Sequence, residues 1–376
     1  MKKSFFYLFL SCLGFTMCKQ KPETQTELVI EVNFDRPEKA SFFDFFRSIE
    51  LIPLETSPDV LLAGVSKLVV HDDRYYTLDR SQDIIHVFDE KGNFIFKIDK
   101  KGQGPGEYNF IEDFIFNPFS GNLELFEAYG AVYIFDLSGN FIEKKRIEYD
   151  GFRVAHNIAA IDKNTHVFYV ISEPVKIIYF NLDEGKLLHL EFEESRELGG
   201  YVINSFYSFQ DECFFFRPVH PVVYKAGKER LEDFFKFDFG KYTKEGRNAT
   251  FTEESKRSLT KQIEEMFAQT SYVIRKVRHN NNYVFALISW KTWDRKTNVI
   301  YNKSTGKAKF ILDFDEKAMF DPEIITDEYV LTICRWVDLE KFITKEMLDD
   351  TQKKIFEALV QSKDEANPIL IKYWFK

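Results

Sequence analysis

Residues 83–108, DIIHVFDEKGNFIFKIDKKGQGPGEY, decide the fold. The apolar positions alternate, Ile85 and Val87 and then Phe94, Phe96 and Ile98. All are β-branched or aromatic, the types that fit a pleated, half-buried surface. Between the two runs Asp89-Glu90-Lys91-Gly92-Asn93 supplies a turn, because Gly92 takes a positive φ without a Cβ clash and Asn93 tolerates one. Residues 83–99 therefore read as a hairpin. Upstream, residues 67–70, the turn His71-Asp72-Asp73 and residues 75–78 form a second hairpin, giving four consecutive antiparallel strands with short connections.

The unit recurs. Phe88-Asp89-Glu90-Lys91-Gly92-Asn93-Phe94 returns as Phe135-Asp136-Leu137-Ser138-Gly139-Asn140-Phe141, and four strands repeated at a period in the forties is the pattern of a propeller blade. Blades follow at about 66–99, 111–147, 158–192, 202–239 and 272–314, and the sixth is incomplete, with strands at 323–326, 329–336 and 368–375. Its missing outer strand is expected from the N-terminal runs at 28–32 and 49–54, which would close the ring and remove open sheet edges. The fold class expected is all-β: a six-bladed β-propeller of four-stranded antiparallel blades over residues 28–376, with two helical insertions on one face. Those insertions, about 249–271 and 339–361, carry apolar residues at helical spacing (Leu259, Ile263, Met266, Phe267; Phe342, Ile343, Met347, Ile355, Phe356, Leu359), the first behind a capping-box pair, Thr250 and Glu253. Their apolar faces are expected to pack on the propeller.

Composition agrees with one large closed domain. Of 376 residues 44% are hydrophobic, and 41 Phe suit blades that bury both faces. The formal charge of −9, with no basic run, disfavours nucleic acid as a partner. Cys213 and Cys334 fall in apolar strands far apart in the repeat order and read as buried thiols.

Residues 1–17 combine Lys2 and Lys3 with an apolar run too short to span a bilayer, the layout of a secretory signal. The run ends at Cys18 and the chain turns polar over 19–27. This resembles a bacterial lipoprotein signal, in which Cys18 would be lipidated and 18–27 would be a tether; Cys12 is the alternative site, and an ordinary cleaved signal a second alternative.

Leu54-Glu55-Thr56, the Phe-Asp-x-x-Gly-x-Phe turns, Lys101-Gly102-Gln103-Gly104-Pro105-Gly106-Glu107-Tyr108 and the terminal Asn367-Pro368-Ile369-Leu370 together resemble the six-bladed β-propeller lipoproteins of Bacteroidetes, relatives of NHL-repeat propellers. The resemblance implies the fold and an exported, lipid-anchored location in the cell envelope, with membrane contact through Cys18. It implies no catalytic residue. Lys19 and Lys21, where surface-exported members tend to carry acids, favour an outer-membrane protein facing the periplasm.

In a four-stranded antiparallel blade, the turn between strands two and three and the connection to the next blade emerge on one face. Both insertions and the loop at 101–108 belong to those connections, so that face is the expected site. The loop has the glycines of a phosphate cradle but neither its spacing nor a following helix, so a conformational role is expected, with ligand contact by Gln103, Glu107 and Tyr108 as the alternative. The candidate ligand-binding residues on that face are Arg80, Gln103, Glu107, Tyr108, Tyr129, Glu173, Arg217, His220, Trp290, Trp293, Arg295, Arg335 and Trp336, rings beside Arg and carboxylates that could stack on sugars or clamp a peptide. No cofactor or metal is expected, since the seven His show no metal-ligand spacing, and no Gly-x-Ser-x-Gly elbow is present. The expected function is a binding module for a glycan, a peptide or an envelope partner protein. A hydrolase or lyase acting on carbohydrate or peptide in the central funnel is the alternative.

Overall fold

The computed structural model describes residues 28–149, 155–170, 177–192, 204–243, 258–361 and 366–376. The expectations for Cys12, Cys18, the tether, Thr250, Glu253 and Glu173 lie outside those residues. Within them the chain forms six antiparallel four-stranded sheets, one of them extended by a fifth strand, and these are the six blades of a β-propeller. The innermost strands, Lys67–His71, Asp113–Asn117, Ala155–Ala160, Phe206–Phe209, Tyr272–His279 and Ile324–Ile325, each stand at the end of their sheet and line the axis.

Each blade buries both faces, and the core is accordingly divided into six hydrophobic clusters, one between each successive pair of blades. Strand alternation does the sorting. In the second strand of blade 4, Cys213 and Phe215 point into the cluster shared with blade 3, and Phe214 and Phe216 into the one shared with blade 5. Double-sided burial is the use to which so many phenylalanines are put.

The glycine of the repeated turn has a second duty besides its backbone angle. Gly139 sits at φ 81° in the outer turn of blade 2, and a Cβ there would lie 2.8 Å from the Phe96 ring on the outer strand of blade 1. Gly92 makes the same approach one blade earlier, where a Cβ would lie 2.3 Å from the Pro53 carbonyl oxygen. The Asp of each turn holds the loop shut: Asp89 accepts bonds from the Lys91 and Asn93 amides, and Asp136 from those of Ser138 and Asn140. The sequence motif is thus the seam between neighbouring blades.

The two N-terminal runs part company. β2 (Phe46–Pro53) is the outer strand of blade 6, antiparallel to the C-terminal strand Ile369–Phe375, with Phe46 opposite Phe375 and Pro53 opposite Ile369. β1 (Leu28–Glu31) does not join blade 6; it lies parallel on Leu231–Asp238 as the fifth strand of blade 4. The reason is packing: β1 buries only Ile30, which enters the cluster between blades 4 and 5, whereas β2 buries Phe46, Ile49, Leu51 and Ile52. At about 2 kcal/mol per buried apolar side chain, β2 is the stronger latch by several kcal/mol. The strap between them crosses blade 5, where Phe34 stacks on Trp290 (4.1 Å between centroids) and the Glu38 amide donates to the Phe310 carbonyl (2.7 Å).

The described helices pack on the ring. α1 (Leu259–Thr270) puts Met266 and Phe267 into the cluster between blades 4 and 5. The second insertion contains α2 (Leu339–Phe342) and α3 (Asp350–Gln361), whose Phe342 and Phe356 join the cluster between blades 5 and 6. The α3 residue Gln352 accepts from the Leu51 amide, capping the free edge of β2.

Leu54-Glu55-Thr56 and Asn367-Pro368 meet at the closure. The fully buried Asn367 side chain accepts from the Leu62 amide (2.8 Å) and donates to the carbonyls of Glu55 (2.6 Å) and Val60 (2.7 Å), while its own amide donates to Thr56 Oγ1 (2.9 Å). Replacing Asn367 by Ala would leave the Leu62 amide and the Glu55 carbonyl unpaired, at about 1–3 kcal/mol each, and the Val60 carbonyl with only its longer bond from the Ser57 amide (3.4 Å). The expected result is a loss of about 3 kcal/mol or more in urea unfolding, and an Asn367→Ala protein as stable as the parent would contradict this reading of the closure.

Candidate functional site

A cavity of about 740 Å³ runs along the propeller axis, within the range of small-ligand and peptide sites. Its walls are the inner strands, with Val69, Ile115, Ala159, Phe206 and Ile324 contributing apolar surface. At one end the Asn204 side-chain amide donates to the Ser66 carbonyl (3.3 Å). These residues precede the inner strands of blades 4 and 1, which stand opposite each other in a ring of six, so the bond spans the bore. The other end opens among the first turns of the blades, through His71, Asp72, Asp73, Gln210, Asp211 and Asp327.

The closed end carries charge that is already matched. Lys67 Nζ pairs with Asp113 (2.6 Å), whose second oxygen accepts from the Ile158 amide (3.0 Å), so one carboxylate ties blades 1, 2 and 3 together. Asn157 Oδ1 continues the tie by accepting from the Ser205 amide of blade 4. Between the neighbouring blades 5 and 6 Arg278 donates to the Glu323 carbonyl (2.6 Å), and Lys276 bridges Asp321 (2.7 Å) and Glu323. Burial alone would raise the Asp321 carboxyl, but Lys276 and Lys296 outweigh it and hold the group at about 2. These pairs bind blade to blade, and their charges are satisfied within the ring.

The mouth differs. Asp72, Asp73, Gln210 and Asp211 all take positive φ in two tight turns and are exposed, as is Asp327. Asp327 accepts from the Asn281 amide (2.9 Å) and side chain (2.6 Å), which fixes it at the rim. Among the described residues the cavity's two lining cations are both engaged, Lys67 with Asp113 at the closed end and Arg278, two residues before the first turn of blade 5, with Glu323.

Among the described residues, none of the candidates read from the sequence lines the cavity. They lie on connections at the opposite end of the blades, and most are engaged with their own neighbours. Glu107 accepts from the Gly104 amide (2.7 Å) and Tyr108 is buried with its hydroxyl on the Asp83 carbonyl (3.0 Å), so the glycine loop is held by its own residues; Gln103 is exposed on it. Arg80 grips Glu112, by its carbonyl and by its carboxylate at 3.5 Å, and His156 meets the same carboxylate at 2.9 Å. Arg217 lies over the Phe192 ring (4.1 Å), and His220 is buried.

Trp290 is buried between Phe34 and Tyr242, the Trp293 ring is covered by Arg275 (4.1 Å), and Arg295 is exposed in the same turn. Arg335 is tied to Asp338 (2.7 Å), and Trp336 packs on the cluster between blades 5 and 6. Tyr129 alone stands out, 82% exposed, its edge against Phe110. The residues of the mouth carried a signal that sequence reasoning passed over: acids recur in the first turns of four blades, at 72–73, 162, 211 and 327, and all but Asp162 line the cavity.

Among the described residues no group of three or more His, Cys, Asp or Glu is arranged to hold a metal ion. Cys213 and Cys334 are free thiols, each pushed up to about 12 chiefly by burial. His279, beside the cavity wall, is buried in an aromatic cage of Phe209, Phe214 and Phe234, with its Nδ1 hydrogen-bonded to the Tyr207 hydroxyl (2.9 Å).

Residues 26–373 match the family model described as "Domain of unknown function (DUF4934)". A crystal structure described as a "Putative exported protein" of Bacteroides fragilis superposes with a TM-score of 0.68 at 15% identity, over 93% of this chain and 99% of that one. A member of the DUF4221 family from Bacteroides vulgatus superposes with a TM-score of 0.55 at 12% identity, over 88% of this chain and 97% of that one. At such identities the likeness is one of fold. No curated protein matches the chain. No helix among the described residues is long and apolar enough to cross a membrane.

Burial, with a lesser contribution from Lys303, lowers His279 to about 3 from its ordinary 6.5. The folded state therefore holds this ring neutral while the unfolded chain protonates it below 6.5, so its contribution is complete above pH 6.5 and drains away as the pH falls toward 3. By about pH 4.5 the loss is about 3 kcal/mol. Urea unfolding of the parent and of His279→Phe across this range should show a shallower acid slope in the variant; identical slopes would place the acid sensitivity elsewhere.

Proposed function

Because the chain belongs to the DUF4934 family, whose description assigns no activity, its function has to be argued from the site, and we propose that it is a binding module that takes its ligand into the axial cavity through the mouth formed by the first turns. The observation that carries this is the combination of a cavity of about 740 Å³ with an opening at one end and a hydrogen bond across the other. Such a cup can enclose a ligand or the projecting segment of a partner. The charged pairs that line it are spent on blade-to-blade ties, which suits a rigid receptor rather than a site that moves protons.

The same reading includes export and attachment to the cell envelope through Cys18, with the propeller on the periplasmic side of the outer membrane. It is supported by the resemblance of residues 1–27 to a lipoprotein signal and by the exported description of a structural relative. A glycan, a peptide or an envelope protein are the occupants considered.

Ser208 offers the test. It is exposed on the inner strand of blade 4 and lines the cavity, so Ser208→Trp fills the bore without displacing a buried side chain. The melting temperature of the chain from Lys19 onward is followed against panels of glycans and peptides; a ligand that prefers the native state raises it by mass action. The expected outcome is a saturable rise with one class that disappears in Ser208→Trp. A rise of equal size in both proteins would place binding outside the cavity.

A further inference from the structure

If the axial channel is the binding site, as proposed above, its chemistry also specifies the class of its occupant: we infer that the channel receives an extended polypeptide segment bearing Lys or Arg side chains, whose cationic groups rest on the carboxylates of the mouth. This inference rests on that reading of the channel, and two independent features carry it.

The first is the wall. Every inner strand stands at the end of its sheet and is paired on one side only. Its other edge faces the axis, and a strand edge without a partner strand presents a row of backbone donors and acceptors, of which side chains already take the Ile158 amide (Asp113) and the Thr326 carbonyl (Asn280). The cavity is lined along such edges, by residues 67–71, 158–160, 206–209 and 324–326. Between them lie small or aliphatic side chains such as Val69, Ile115 and Ala160. An extended peptide matches that surface, with its own amides and carbonyls against the strand edges and modest side chains against the aliphatic patches.

The second is the charge. Asp72, Asp73, Asp211 and Asp327 stand at the mouth, Asp72 beside its neighbour His71 (3.3 Å) and Asp327 held by Asn281, and the described lining residues bring them no unengaged Lys or Arg. The two lining cations are occupied, Lys67 by Asp113 at 2.6 Å and Arg278 by the carbonyl and carboxylate of Glu323. A concave mouth of one sign focuses its potential and draws in the opposite charge. An acidic segment would meet four carboxylates at the entrance, and a neutral one would bring them no cation. A Lys- or Arg-bearing segment complements both wall and mouth.

Three fluorescein-labelled peptides of about 12 residues, (Lys-Ala)6, (Ser-Ala)6 and (Glu-Ala)6, are titrated by fluorescence anisotropy with the chain from Lys19 onward, with Ser208→Trp, and with the triple variant Asp72→Asn/Asp73→Asn/Asp211→Asn. Asn tolerates the left-handed backbone at these positions, so the turns are kept; a melting curve for each variant verifies it. The lysine peptide is expected to bind, to weaken roughly tenfold in the triple variant, to weaken again between about 50 mM and about 500 mM salt, and to be lost in Ser208→Trp. The salt series carries the charge argument even if the triple variant fails to fold.

Binding of the serine peptide as tightly as the lysine peptide, abolished by Ser208→Trp, would overturn the cationic preference and leave the channel reading standing. Lysine-peptide binding untouched by Ser208→Trp would overturn the channel reading itself. Displacement of the lysine peptide by spermidine at equal concentration would overturn the polypeptide part, since a polyamine has no amides for the strand edges. Failure of all three peptides to bind would overturn the inference.

Discussion

Everything in this molecule depends on closing a ring whose two ends are far apart in sequence. A propeller blade buries both faces only if it has neighbours on both sides, so an open ring would expose two apolar faces at once. The chain solves this by giving the last blade its outer strand from the N-terminal part, β2 against residues 369–375, and by fastening the junction with Asn367, whose side chain bonds to backbone at 55, 60 and 62. A side-chain amide is suited to that place because it donates and accepts together. Two of the motifs in the sequence resemblance, Leu-Glu-Thr and Asn-Pro, thereby have one physical meaning: they are the two halves of a clasp.

Once the ring is closed, its interior is determined. Six inner strands at fixed spacing leave a bore, and polar ties such as Lys67 to Asp113 to Ile158 hold neighbouring blades at that spacing from the axial side. From the rim side the turn glycines do the same, with Gly139 against Phe96 and Gly92 against Pro53. The bore is bridged at one end by Asn204 and left open among acidic turns at the other. The cavity is a by-product of closure that the first turns of the blades then furnish with charge.

The fold was legible because its determinants are local and periodic. Alternation in Ile85, Val87, Phe94 and Phe96, and the return of the Phe-Asp-x-x-Gly-x-Phe turn, mark strands and period without any knowledge of neighbours. The role of β1 was not legible: residues 28–32 and 49–54 both read as outer-strand runs for the last blade, and only the number of residues each can bury, set by partners hundreds of positions away, separates them. The site was harder still. Aromatic and basic residues such as Trp290, Trp293 and Arg217 look like binding residues in a sequence, yet here Phe34, Arg275 and Phe192 occupy their faces. The mouth is made of turn residues, Asp72, Asp73 and Asp211, whose composition is what any tight turn prefers; together with Asp327 they gain meaning only when the ring brings turns from three different blades to one opening.

The closure is tested most directly by two truncations followed by thermal melting. A chain beginning at Asn33 lacks β1 but keeps the strap and β2; a chain beginning at Glu55 lacks β2 as well. The account predicts that the first melts in one cooperative transition close to that of the longer chain, and that the second, although it keeps the Asn367 partners at 55, 60 and 62, loses cooperative melting because blade 6 has lost its outer strand and the apolar faces that β2 covers lie open. A chain beginning at Glu55 that melts like the full chain would contradict it.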